Sequence, residues 1–178
     1  MRVVAIALGC LAAVSTITPV LAGGQSQLGD PKASAEQVFW GQLYASGGSS
    51  LYCAKAFDQN HGQLMPSPVY ASKQIKSALR CVTDAQCLAA NPQYPYMLAD
   101  LHNLYPELTR VELARRSAQF GDLGDDVPSK FDAIGCDLKS SFQLVEPRDA
   151  AKGNVARAIF YMHIEYGLPI VGQLQMFK

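Results

Sequence analysis

Residues 99–120 read ADLHNLYPELTRVELARRSAQF. His102 and Asn103 stand between Leu101 and Leu104, two residues whose character suits burial, so the polar pair is held at the edge of a core. Pro106 suits the first turn of a helix, and the spacing of Leu108, Val111, Leu113 and Phe120 predicts one beginning after Leu104–Tyr105. An asparagine carbonyl is the kind of hard oxygen ligand that suits magnesium. Arg115 or Arg116, one to two turns into the helix, has the chemistry to hold a phosphate. His102 is a candidate catalytic-site residue beside them, orienting the loop rather than attacking anything; the plainer alternatives are capping or packing for His102 and a solvated face for the arginines. On that face Glu112 would pair with Arg115 or Arg116 for only ~0.3–0.5 kcal/mol.

Working outward, Ser34 is a candidate cap for a helix carrying Val38, Phe39, Leu43 and Tyr44 on one face, ended by Gly47-Gly48. Leu51-Tyr52-Cys53 reads as a short buried strand or turn. Residues 57–67, with Gly62 and Pro66, read as loop or strand. Ile75 and Leu79 mark a helix over 71–79, and the two prolines of NPQYPY make 91–96 irregular. Residues 121–135 read as a long loop. Val155, Ile159, Met162 and Tyr166 follow helical spacing up to a fitting cap at Gly167.

The first 22 residues carry one positive charge, an apolar run and small residues before Ala22, the pattern of a secretory signal peptide. Removing it leaves about 156 residues, enough for one core. Residues 23–33 read as a flexible leader and 34–178 as a single domain. No later stretch is long enough to span a bilayer, so no membrane partner is expected. The formal net charge is zero, which argues against broad coating of DNA but allows a local basic patch at 110–116. Cys53, Cys81, Cys87 and Cys136 remain after export. An even count in that setting reads as two disulfides, with three possible pairings. Cys81 and Cys87 flank a short polar loop and favour a local pair, which would leave Cys53 to join Cys136. The absence of CxxC and of a nearby histidine pair argues against zinc.

Taken together, LYC at 51–53, VYAS at 69–72, NPQY before DLHNLYP, and the later CDLK and EP…VAR.IFYM blocks resemble the endonuclease I family of exported bacterial nucleases. The resemblance spans roughly residues 35–178. It implies a helix-rich α+β domain built on a His-Me (ββα-metal) finger, cleaving DNA, and often RNA, with one magnesium ion. It further implies a periplasmic or secreted monomer and a Cys53–Cys136, Cys81–Cys87 pairing. Asn103 matches a metal ligand, and Arg115 matches the arginine of the following helix.

The same resemblance exposes departures. Members carry a Glu-His pair, metal ligand and general base, immediately before the segment matched by VYAS, where this chain has Ser67 and Pro68. Proline has no proton-accepting side chain. Leu98 stands where an acidic residue is usual, and Glu112 and Ser117 stand where asparagines are common. His61, in QNHGQ, is the candidate substitute base. His163 reads as a partly exposed helix residue. Tyr52, Tyr161 and Tyr166 read as core aromatics before base-stacking ones. Two functions follow: a weakened or inactive phosphodiesterase, or a non-catalytic relative binding nucleic acid or a protein.

Overall fold

The computed structural model describes residues 23–59, 61–173 and 176, so the signal peptide expected over 1–22 lies outside the described residues. The chain is a mixed α+β fold. Asp30, not Ser34, opens the first helix: its carboxylate accepts from the amides of Lys32 (2.9 Å) and Ala33 (3.2 Å). That helix, α1 (Pro31–Ala33), widens into a π-helical stretch, Ser34–Leu43, and Ser34 instead donates its hydroxyl to the Ala99 carbonyl at 2.8 Å. Residues ahead of α1, expected as a flexible leader, are hydrogen-bonded to the body: the Gln25 amide donates to the Tyr166 hydroxyl and its side chain to the Tyr96 carbonyl.

A two-residue ladder, β1 (Gly48–Ser49) with β2 (Ala56–Phe57), brackets the buried 51–53 turn. Strand β3 (Leu64–Pro68) then leads into α2 (Ser72–Ala78), α3 (Asp84–Ala90) and α4 (Tyr94–Ala99). Thr83 and Gln86 form a reciprocal cap for α3, so the polar loop expected between Cys81 and Cys87 is half helix. Pro95 likewise does not prevent α4, because it sits in the first turn, where its missing N–H has no helical partner to lose.

The main correction concerns Leu104–Leu108. This segment is strand β4, and the helix expected from Pro106 starts only at Thr109, as α5 (Thr109–Arg115). Strand β4 pairs antiparallel with β3, Pro106 directly opposite Pro66 and Leu104 opposite Pro68. Proline is excluded from central strands but tolerated in a two-stranded ribbon, where each strand has a free edge.

The second sheet runs in the order β5–β8–β7–β6, with β5 (Gln119–Phe120) parallel to β8 (Leu144–Pro147). Strand β7 (Cys136–Ser140) is antiparallel to both β8 and β6 (Ser129–Phe131). The loop expected over 121–135 therefore contains an edge strand. Helix α6 (Asp149–Tyr166) ends at Gly167, left-handed at φ 66°. It joins two cores. Val155, Ala158 and Ile159 pack with Leu51, Tyr52, Val111, Phe120 and Leu138. Met162 and Tyr166 pack with Tyr70, Ile75, Tyr94 and Met97. Burial of each large side chain contributes about 1.5–3 kcal/mol. Disulfides join Cys53 to Cys136 and Cys81 to Cys87.

Candidate active site

Strand alternation sends successive residues of β3 to opposite faces. Ser67 points inward and is 1% exposed, while Pro68 is half-buried on the other face. Facing Ser67 is α5, which places Glu112 and Arg115 one turn apart on one side. The Ser67 hydroxyl donates to Glu112 Oε2 at 2.6 Å, and Arg115 Nε donates to the same oxygen at 3.0 Å. Arg115 Nη2 reaches Glu112 Oε1 at 3.3 Å and also donates to the Pro68 carbonyl; Nη1 reaches the Val69 carbonyl at 3.4 Å.

The Arg115 side chain has no solvent exposure, and its guanidinium lies 5.7 Å and 5.2 Å from the ring centroids of Tyr52 and Phe120. The surface-pair magnitude expected for Glu112–Arg115 therefore does not apply. This is a desolvated pair, in which losing one partner strands a buried charge. Of the basic patch expected over 110–116, Arg110 and Arg116 are exposed and Arg115 is inside. The Tyr52 hydroxyl is buried beside this cluster. Among the described residues no group meets it with hydrogen-bond geometry. Burial raises the ionisation of Tyr52 well above the usual phenol range.

Asn103, 1% exposed, lies one position before β4, two strand positions from Ser67. Its carbonyl accepts from the Val69 amide at 2.9 Å. Its side-chain oxygen accepts from the Tyr70 amide at 2.7 Å, and its side-chain nitrogen donates to the Tyr70 carbonyl at 3.0 Å. Both ends of the amide thus hold one residue of the chain that leaves β3. On the outer face, Pro68 and Leu98 line one cleft of about 360 Å³ together with Asn103, Tyr70 and Ile75. Two positions singled out separately in the sequence meet here in space, and both are apolar.

His102 turns away from that cleft. Its Nδ1 lies 3.1 Å from Asp100 Oδ1, and its ring stacks on Tyr161 at 4.3 Å. His61 stacks on Trp40 at 3.9 Å and precedes the start of β3, so the length of the strand separates it from Pro68. The structure brings Asn103, Ser67, Pro68 and Arg115 together and does not bring His61 to them. His163 pairs through Nδ1 with the Leu168 carbonyl at 2.7 Å, beyond the end of α6.

Two buried carboxylates escaped the sequence reading. Glu107 is fully buried, accepting from the amides of Tyr52 and of Leu108 (2.8 Å), and desolvation raises its pKa. Asp100, 1% exposed, accepts from the His102 amide at 3.0 Å and from the hydroxyls of Tyr161 (3.1 Å) and Tyr166 (2.6 Å). The spacing Asp-x-His in ADLHN was the available signal for Asp100, since an Asp side chain commonly bonds the backbone two residues on. An acidic residue alternating with apolar ones in a strand gave no comparable signal for Glu107.

Comparison with known proteins places these residues in context. The family model described as Endonuclease I matches residues 34–178. An Endonuclease-1 of Buchnera aphidicola is 33% identical over 79 residues, 43% of this chain and 30% of that protein. An extracellular deoxyribonuclease of Aeromonas hydrophila is 30% identical over 84 residues, 46% of this chain and 35% of that protein. These alignments cover about a third of the length of each curated relative. The chain belongs to the endonuclease I family.

Proposed function

We propose that this endonuclease I family chain is an exported protein whose ligand is nucleic acid, DNA foremost, and whose phosphodiester hydrolysis is strongly weakened. The hairpin of β3 and β4 followed by α5 corresponds in this reading to the family's ββα finger. Export is supported by the two disulfides and by the name of the extracellular relative. Among the described residues, no helix is long and apolar enough to cross a membrane.

The observation that carries the reading is the closed hydrogen-bond set of Ser67, Glu112 and Arg115. Hydrolysis at such a finger calls for oxygen ligands to magnesium, a base to take a proton from water, and an arginine open to phosphate. Glu112 supplies a carboxylate, but from the helix, and it is already neutralised by Arg115. Ser67 donates its proton inward. The Asn103 amide is engaged at both ends by Tyr70, and Pro68 and Leu98 make the neighbouring cleft apolar. This donor set does not fit magnesium, whose octahedral shell demands several hard oxygens and gives up water reluctantly. Among the described residues, no group of three or more His, Cys, Asp or Glu side chains is placed to hold a metal ion.

Labelled duplex DNA incubated with the disulfide-intact protein and magnesium tests both parts in one gel. Expected is a retarded complex with strand scission at least about 10²-fold slower than for a relative with a positioned base. Fast, chelator-sensitive scission would contradict the weakened chemistry, and failure to retard any nucleic acid would contradict the ligand.

A further inference from the structure

On the side of His102 lies a second cleft of about 450 Å³, which shares only Leu104 with the first. Its walls are aromatic and its rim is cationic: Tyr44, Tyr105, Tyr161 and His102 line it, with Arg157 at the edge. Helix α6 places Arg157 and Tyr161 one turn apart on the same face. Arg157 is exposed and steadied by a hydrogen bond to the Asn154 side chain. Among the described residues it makes no ion pair with a carboxylate.

His102 is held with care for a residue whose side chain is 69% exposed. Asp100, buried beneath it, fixes Nδ1 and the backbone amide, and the same carboxylate takes the Tyr161 and Tyr166 hydroxyls. The ring is thereby held close to parallel to Tyr161, at an interplanar angle of 21°. A rigid, exposed aromatic plane beside an unpaired guanidinium is the arrangement that accepts a base on its face and a phosphate at its rim.

We propose that this cleft binds single-stranded nucleic acid by stacking an unpaired base on the His102 ring, which Tyr161 backs on its other face, and against Tyr105, with Arg157 on the adjoining phosphate. The inference rests on the nucleic-acid ligand proposed above and states where, and in what form, that ligand is held. Bases of a duplex are occupied with one another and cannot enter such walls, so the cleft selects single strands or melted ends. The volume falls within the range of small-ligand sites. The neutral chain carries no broad cationic surface, so at this cleft stacking adds to the phosphate contacts available to a duplex elsewhere and favours single strands over duplex. Because Leu104 also lines the cleft beside Pro68 and Asn103, a strand anchored here runs on toward the finger.

Fluorescence anisotropy with a fluorescein-labelled short oligothymidylate, in chelator so that no cleavage intervenes, reads this directly. His102→Ala is expected to weaken binding about 5–150-fold, and Arg157→Ala to weaken it at low salt. His102→Phe, which keeps an aromatic ring on Tyr161 but loses the Nδ1 contact to Asp100, is expected to recover most of the binding lost in His102→Ala. Arg157→Ala is also expected to lower the salt slope by about 0.7, the value for one phosphate on a single strand. Circular dichroism on each variant separates these effects from unfolding, and Arg157 is an exposed helix position whose loss leaves the cores intact. Single-strand binding by the unaltered chain that survives both alanine variants would overturn the cleft while leaving the nucleic-acid ligand standing. Absence of any complex with either single or double strands would overturn both.

Discussion

Asn103 is the residue whose role differs most between a metal ligand and a structural clamp. A ligand tolerates replacement by aspartate, which keeps an oxygen and adds charge. The clamp does not, because aspartate offers the Tyr70 carbonyl a second acceptor where the amide nitrogen now donates. Asn103→Ala is expected to cost about 1–3 kcal/mol for each Tyr70 backbone group left unpaired, and Asn103→Asp to destabilise as well, both read from urea unfolding. At the neighbouring pair, Arg115→Ala is expected to cost about 3–5 kcal/mol by leaving Glu112 buried with an unneutralised charge. Replacing both members by apolar residues of similar volume should cost far less. Glu107 adds a pH dependence. Its raised pKa means that the folded state binds the proton more tightly than the unfolded chain does. Its stabilising contribution is therefore full below the ordinary carboxyl pKa, about 4.5, and falls as pH rises through the folded value. The stability of Glu107→Gln relative to the unaltered protein should rise over that same interval.

At the scale of elements, Ser67 on β3 meets a carboxylate on α5, and in the proposed reading this carboxylate stands in for the one expected at Ser67, which governs any attempt at repair. Ser67→Glu with Pro68→His alone would bring a second buried carboxylate against Glu112, with only Arg115 to neutralise both, a like-charge arrangement that forces one of them to stay protonated. Adding Glu112→Asn removes the conflict. The triple variant is expected to show more magnesium-dependent nicking than the double, and equal activity would refute the relocation. Much of this region was legible beforehand. The positions of Asn103, Ser67, Pro68 and Arg115 follow from the DLHNL and VYAS matches, and α6 from its periodicity and Gly167. Strand β4 was not legible because Pro106 fits a helix start equally well, and only its partner β3, 40 residues away in sequence, makes the segment extended. The inward turn of Arg115 was hidden for a similar reason: nothing local distinguishes RVELARR with one arginine buried from the same segment fully solvated.

Across the whole molecule, α6 ties the helical core around Tyr70 and Tyr94 to the sheet core around Phe120 and Leu138, and Cys53–Cys136 fastens the early turn to β7. That frame keeps the β3–β4 hairpin with α5, the apolar cleft and the aromatic cleft on one body, as the proposed passage of a nucleic acid from one to the next requires. In the reading proposed above, hydrolysis is weakened by a local replacement within an intact scaffold. Plasmid nicking by the purified, disulfide-intact chain, with magnesium and again with excess chelator, measures it most directly. Expected are rates that differ little between the two conditions and remain at least about 10²-fold below those of a family member with a positioned base. Rapid nicking that the chelator abolishes would contradict it.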